Sequence, residues 1–262
     1  MNEGFNQRMK KKLEFHKRRI LGVPEPSPLL PLPQLLEGLL SLGELEWGWY
    51  AFARDPIGGR FTPQQKRELI QKASDCGREY ARRCLQEFPG CTPAQLASRL
   101  GLKVLYPQRP LEKSAAGGRV LFALFTSPDQ IEIFTDCTAK AGEAIRREHL
   151  EEMLQGVEVQ DVLLAHEIFH YLEQRDADTI FTETYRFDLR PFGILHNRSR
   201  VVCLGEIAAM GFAKELLGLS YCPYLFDVFL VYFYQQQVAC NLYAQIKKLS
   251  AGAAEPAALP AS

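Results

Sequence analysis

The run VLLAHEIFHYL, residues 162–172, is the feature that most restricts how this chain can fold. We predict that it lies on a helix over 159–175, and its apolar residues predict that this helix is buried. The run nevertheless contains three titratable residues, His166, Glu167 and His170. Burying such groups without partners costs several kcal/mol each. The fold must therefore supply partners for these side chains.

A metal ion is the partner that this spacing predicts. On a helix, His166 and His170 lie one turn apart on one face, and Glu167 flanks the same site. The pattern H-E-x-x-H is typical of two zinc ligands and a general base. The alternative is a pair of core histidines satisfied by other groups, since so short a motif arises by chance in on the order of one chain in a hundred. We favour the metal because its binding energy would compensate the burial.

A catalytic zinc site also needs a third protein ligand and an open position for water. Glu206 differs from the other candidates because it begins the amphipathic segment VVCLGEIAAMGFAKELLGL. Small residues surround it there and would let a second helix approach closely. Most of the other candidates lie in a segment that reads as a loop. The candidates downstream of the motif are Asp176, Asp178, Glu183, Asp188, His196 and Glu206.

The rest of the chain predicts an α+β fold. A small three-stranded sheet, antiparallel or mixed, is flanked by helices, and the C-terminal half is mostly helical. Thr62-Pro63 and Thr92-Pro93 are typical helix starts. The predicted strands are 102–106, 119–125 and 130–135, and the predicted helices of the second half are 142–155, 159–175, 199–218 and 223–249.

The same patterns predict four regions. Residues 1–62 form a basic arm and a Pro-rich lead-in, and residues 63–220 form the domain that carries the motif. Residues 221–249 are a helical extension packed on that domain, and 250–262 are a disordered tail. The basic arm, residues 1–19, is either an interaction tail for an acidic partner or a solvated helix, and we favour the second.

Composition narrows the classes of partner. The formal net charge is zero, so we expect no direct nucleic-acid binding and no membrane surface. The aromatic run YLFDVFLVYFY is too short to span a bilayer and contains Asp227, so we interpret it as a buried helix. Seven cysteines are an odd number and include no CxxC pair, which favours reduced thiols and a cytoplasmic protein.

The segments LLAHEIFHYLE and GEIAAMGFAKELLGL together resemble the ImmA/IrrE family of zinc metallopeptidases. CTPAQLASRLGLKVLY and GRVLFALFTSPDQIEIFTD are similar to the helix and sheet that precede the motif in that family, and the resemblance covers about residues 64–220. It implies a zincin-like active-site helix, one zinc per chain, and Glu206 as the third ligand. The chain departs from the family pattern at Phe169, Ala208 and Met210, which concern the surroundings of the metal and the substrate cleft.

The resemblance implies a zinc endopeptidase that cuts a protein or peptide, such as a specific regulatory protein or repressor. Glu167 would be the general base, and the oxyanion would need a further donor. Candidate donors are Tyr185, His196 and Tyr221. One alternative is a non-catalytic, metal-containing zincin-fold protein with a binding or regulatory role, although such a protein has no need of Glu167. Another is a purely structural helical domain, which predicts no metal.

Overall fold

The computed structural model describes residues 26–108, 121–189 and 198–254. The predicted basic arm and the candidate His196 lie outside these residues. Short 3-10 turns occur at Gly58–Arg60 and Pro223–Leu225. The described helices are α1 (Leu32–Leu40), α2 (Glu44–Arg54), α3 (Pro63–Glu87), α4 (Pro93–Arg99), α5 (Thr135–Arg147), α6 (Val159–Arg175), α7 (Phe181–Thr184), α8 (Cys203–Leu217), α9 (Phe226–Tyr232) and α10 (Gln236–Ala254).

The predicted α+β class is confirmed. The strands β1 (Lys103–Leu105), β2 (Ala123–Thr126) and β3 (Gln130–Ile133) form a sheet in the order β1-β3-β2. The sheet is mixed, because β3 is parallel to β1 and antiparallel to β2. A second, two-stranded ladder joins β4 (Phe187–Asp188) to β5 (Arg198–Ser199). Helix α6 packs on β2 and β3, which places the H-E-x-x-H motif beside the sheet.

Helices α3 and α8 make the most extensive contact between elements of the described chain. Helix α3 begins where the sequence predicts, because the side chains of Thr62 and Gln65 each bond the other's backbone N–H. The two helices meet backbone to backbone at two glycines. A Cβ atom at Gly77 would lie 1.9 Å from the carbonyl oxygen of Ala208, and one at Gly211 would lie 2.7 Å from that of Ser74. The absence of side chains at these positions therefore sets the distance between the helices.

We predict that Gly77→Ala destabilises the protein by about 1–3 kcal/mol, because the added methyl group would force α3 and α8 apart. The matched control is Gly142→Ala in α5, where the nearest atom to a new Cβ is 3.5 Å away on the Arg146 side chain. The control should be neutral or stabilising by up to about 1 kcal/mol, because alanine favours helix. Urea unfolding of both variants measures the difference, and equal stabilities would contradict the close contact.

The N-terminal part of the described chain differs from the predicted lead-in. Residues 1–62 are predicted to be a basic arm and a Pro-rich lead-in with a short helix in LPQLLEGLLSL. Helix α1 lies in that segment, whereas α2 is a second helix that the sequence did not predict, and both contribute to the core. Leu35 and Leu39 of α1 and Trp47 of α2 are fully buried. The Gly and Trp residues of this region hid its helical periodicity. Gly48, for example, lies inside α2, where a Cβ would meet the Ile70 side chain of α3 at 2.5 Å.

The Pro-rich segment before α1 also packs on the domain. The N–H of Ser27 donates to Asn241 Oδ1 at 2.9 Å, and Gln237 Nε2 donates to the Ser27 carbonyl at 2.7 Å. The Tyr232 hydroxyl donates to the carbonyl oxygen of Leu30 at 3.1 Å. These bonds join an extended segment to α9 and α10. From residue 26 onward, therefore, the Pro-rich stretch is attached to the C-terminal helices.

Three predicted helices have different bounds, and the one predicted over 199–218 begins only at Cys203, after β5. The helix predicted over 142–155 is instead α5, which begins earlier and ends at Arg147. His149 and Gln155 both have positive φ angles, 55° and 57°, and left-handed residues stop a helix. The helix predicted over 223–249 is divided into a 3-10 turn, α9 and α10. Helix α10 continues to Ala254, so the first residues of the predicted tail are helical, and 255–262 lie outside the described residues.

The described helices include none that is long and apolar enough to cross a membrane. The aromatic run that contains Asp227 forms α9 and its preceding turn, and its apolar residues are buried in the core. All seven cysteines lie within the described residues, and none of them forms a disulfide.

Candidate metal centre

Helices α6 and α8 bring two imidazoles and a carboxylate together. The Nε2 atoms of His166 and His170 lie 3.0 Å apart. Glu206, in the first turn of α8, places Oε2 at 3.5 Å from His166 Nε2 and Oε1 at 4.0 Å from His170 Nε2. The three ligand atoms all lie within 4.8 Å of one another. Of the six candidates for a third ligand, Glu206 is the one in this group of described residues.

This donor set fits a divalent metal ion. In a tetrahedral zinc site, bond lengths of about 2.0–2.1 Å place two ligand atoms roughly 3.3 Å apart. Two separations in this site, 3.0 Å between the imidazole nitrogens and 3.5 Å from His166 Nε2 to Glu206 Oε2, lie close to that value, and the other Glu206 oxygen lies 4.0 Å from His170 Nε2. Two imidazole nitrogens and one carboxylate oxygen also suit other first-row divalent ions, so the donors define a metal-binding geometry and leave the metal open.

The small residues of α8 contribute to the site in a different way from the one predicted. They were expected to let α8 approach the helix of the motif. Gly205 does face α6, because a Cβ there would lie 2.6 Å from Glu173 Oε1. Ala208 and Gly211 instead face α3, whose backbone they meet. Small residues therefore occur on two sides of α8, and this helix is enclosed between α3 and α6.

Glu167 is held between α6 and the sheet. Its side chain is buried, with 8% of the residue exposed, and its Oε2 accepts the N–H of Phe125 in β2 at 2.7 Å. The backbone of Phe122, just before β2, faces the neighbouring strand, because its carbonyl accepts the N–H of Phe134. The direction of the backbone groups alternates from one residue to the next, so Phe125, three residues later, directs its N–H to the outer edge of β2. Glu167 therefore joins the motif to a sheet edge that pairs with no other strand among the described residues.

A second carboxylate, Glu173, completes the surroundings of His170. Glu173 is 5% exposed, and its Oε2 lies 3.1 Å from His170 Nδ1. Its Oε1 lies 3.5 Å from Nη2 of Arg200, which also pairs with Glu183. Burial alone would raise the pKa of Glu173, but the bond to His170 and the positive charges of His170 and Arg200 lower it. Glu173 was not among the residues predicted from the sequence, although its position three residues after His170 on a helix could have indicated it.

The charges around His170 determine its protonation when no metal is bound. Burial would lower the pKa of His170, but the hydrogen bond to Glu173 and the negative charges of Glu206 and Glu167 outweigh it and raise the pKa to about 9. A metal must therefore displace a proton from this imidazole near neutral pH.

Another ion pair lies beside the metal ligands. Asp227 of α9 accepts a hydrogen bond from Arg54 at the end of α2, with Nη1 and Oδ2 3.0 Å apart. Burial raises the pKa of Asp227, Arg54 opposes this shift, and the negative charge of Glu206 adds to it. The adjacent Asp55 fixes the start of α8, because its Oδ2 accepts the N–H of Cys203 at 2.9 Å. The end of α2, which lies outside the domain predicted from the sequence, thus forms part of the surroundings of the site.

The three candidate oxyanion donors, Tyr185, His196 and Tyr221, differ in what the structure shows of them. The Tyr221 hydroxyl donates to the Leu154 carbonyl oxygen at 3.1 Å, so its proton is already used in the loop before α6. Tyr185 follows α7, and its ring packs on Phe181 with the centroids 5.7 Å apart. Its role stays a prediction. His196 lies outside the described residues. Tyr224 was not predicted, yet it is buried close enough to Glu206 for that charge to add to the rise that burial causes in the Tyr224 pKa.

Comparison of the chain with models of protein families, with curated proteins and with solved structures found no match. The assignment of a role to this centre therefore depends on the geometry of its own residues.

Proposed function

We propose that this chain is a zinc-dependent metallo-endopeptidase that cleaves a peptide bond in a protein substrate. The observation that carries the proposal is the convergence of His166, His170 and Glu206, with the Glu167 carboxylate on the next residue of the same helix. Two imidazoles and one carboxylate leave a position open in a four-coordinate site, which is typical of catalytic rather than structural zinc. A buried carboxylate that is not needed as a ligand favours an enzyme over a metal-binding module.

Glu167 is the general base of this proposal. When bound, the zinc would supply Lewis acidity toward a peptide carbonyl and a lower pKa for water. Glu167 would take the proton of the attacking water and return it to the leaving amine. The N–H of Phe125 holds one oxygen of the carboxylate, which fixes its orientation and leaves the other oxygen for this proton. The helix backbone keeps Glu167 in a constant position relative to both histidines.

The outer edge of β2 is where an extended substrate would bind in this proposal. Ala123 and Phe125 alternate with the residues that face β3, so their backbone groups face outward. A peptide can add to such an edge as a further strand and take its orientation from main-chain hydrogen bonds. The N–H of Phe125 is already bonded to Glu167, so a peptide would pair with the other outward backbone groups of this edge and would pass close to the base.

Metal content tests the proposal first. We expect one zinc ion per chain in the purified protein by elemental analysis, and a ratio well below one in Glu206→Gln. Glu215→Gln on the same helix is the matched control, because Glu215 pairs with Arg82 and is not part of the centre. It should retain its zinc. A wild-type protein without a stoichiometric metal would refute the site, whereas metal retained fully in Glu206→Gln would refute the third ligand.

Peptidase activity is then tested on a library of unstructured peptides with the zinc-loaded protein. Cleavage that a chelator stops and that added zinc restores is the expected result. A stoichiometric metal without any cleavage of peptides or of denatured proteins would favour the metal-containing binding protein instead.

A further inference from the structure

We infer that Glu173 is a positioning residue for the metal centre, which acts through His170 and is itself held by Arg200. The inference rests on the metal site of the proposed function and does not require peptidase activity. Its first observation is the contact of 3.1 Å between Glu173 Oε2 and His170 Nδ1, the ring nitrogen that does not face the other ligands. A carboxylate in this place fixes the ring and keeps the proton on Nδ1, which leaves Nε2 as the donor to a metal.

The fold makes room for this carboxylate by placing a glycine opposite it. Glu173 is almost fully buried, and burying a charge is unfavourable unless it is paired. Helix α8 has a glycine, Gly205, directly opposite it, where any Cβ would lie 2.6 Å from Glu173 Oε1. The next residue of that helix is the ligand Glu206. One turn of α8 therefore supplies both the third ligand and the space for the carboxylate behind the second ligand.

Arg200 balances the charge of Glu173 from the other side. Its Nη2 lies 3.5 Å from Glu173 Oε1, so the two oxygens of the carboxylate have different partners. The same nitrogen contacts Glu183, and the Arg200 side chain is 42% exposed. A cation at the protein surface is thus connected to the imidazole of His170 through one buried carboxylate. This arrangement keeps the orientation of the Glu173 carboxylate constant.

The two imidazoles of the centre differ in this respect. His170 Nδ1 contacts Glu173, whereas His166 Nδ1 is buried without a hydrogen-bond partner among the described residues. A change at Glu173 should therefore affect one of the two ligands selectively. This selectivity distinguishes a positioning role from a general contribution to stability.

The test compares the zinc affinity of Glu173→Gln with that of the wild type, by competition with a chromophoric chelator. Glutamine keeps the size of the side chain but removes the charge, and loss of such a partner costs about 10- to 100-fold in metal affinity. The matched control is Glu183→Gln, which removes the other carboxylate from Arg200 without touching His170. It should bind zinc as the wild type does. An affinity of Glu173→Gln within twofold of the wild type, or an equal loss in Glu183→Gln, would overturn the inference.

A spectroscopic measurement separates positioning from loss of structure. In the zinc-loaded wild type, the imidazole N–H proton of His170 should exchange slowly with solvent, because it bonds to a buried carboxylate. In Glu173→Gln this resonance should shift and exchange faster, while that of His166 stays unchanged. Equal changes at both histidines would indicate a general loosening and would contradict the inference. A wild type that binds zinc but cleaves nothing would refute the proposed function alone, whereas a wild type that binds no zinc would refute both.

Discussion

Replacing Glu167 with glutamine should reduce peptide cleavage by about 10²- to 10⁴-fold while zinc stays bound, because removal of a general base has this effect. The variant is close to isosteric, and its amide oxygen can still accept the N–H of Phe125, as the carboxylate does. Packing between α6 and β2 should therefore be retained. The loss should fall on kcat rather than on substrate binding, since Glu167 acts in the chemical step. Cleavage rates and zinc content of the same preparation measure both parts.

The matched control for this change is Glu158→Gln, just before α6, where the side chain is exposed. It removes the same charge and should leave the rate unchanged. Wild-type rates in Glu167→Gln would assign the cleavage to another base or to a contaminant. Loss of zinc from Glu167→Gln would show that the carboxylate is a ligand. If neither occurs, the inactive variant can retain substrates and be used to isolate them.

The motif and its helix are predictable from the sequence because their geometry is local. The residues His166, Glu167 and His170 lie within five positions, and the helix that carries them has the predicted bounds, Val159–Arg175. Glu206 is distant in the sequence, so spacing alone left it among six candidates. Its place at the start of an amphipathic segment with small neighbours favoured it, and the resemblance implied its role as third ligand; the structure places it against both histidines independently of any relative.

The surroundings of the centre were not predictable, because they depend on long-range packing. Asp55 holds the start of α8 and Arg54 pairs with Asp227, yet both come from a segment whose periodicity is weak. The helix that ends at Arg54, α2, packs into the core through the aromatic side chains of Trp47, Tyr50 and Phe52. Likewise, the sequence around Glu173 is typical of the polar end of a helix, and its burial depends on Gly205 of another helix, which faces it. Contacts of this kind join residues that are far apart in the sequence, so no pattern within one segment predicts them.

The stability of the chelated protein should depend on pH between 6.5 and 9, and metal binding should remove this dependence. An imidazole in the unfolded chain has a pKa of about 6.5, whereas the pKa of His170 in the folded, metal-free protein is about 9. A raised pKa stabilises the fold fully below about pH 6.5, and this contribution is lost as the pH rises through 9. The free energy of unfolding of the chelated protein should thus fall between pH 6.5 and 9, by up to about 3 kcal/mol.

Zinc and a proton compete for His170, so the metal-loaded protein should not show this fall: the metal holds His170 without its proton, and the unfolded imidazole is also mostly unprotonated above about pH 6.5. As the pH rises, less work is needed to remove that proton, so metal affinity increases and with it the stabilisation from binding. The difference in Tm between metal-loaded and chelated protein should therefore grow from pH 6.5 to 9. In the chelated state, His170→Gln should lose most of the slope. His149→Asn should keep it, because His149 lies in a turn after α5 where asparagine tolerates the positive φ. A chelated wild type whose stability does not change over this range would mean that Glu173 and Glu206 do not hold a proton on His170, and the charge balance derived for the centre would be wrong.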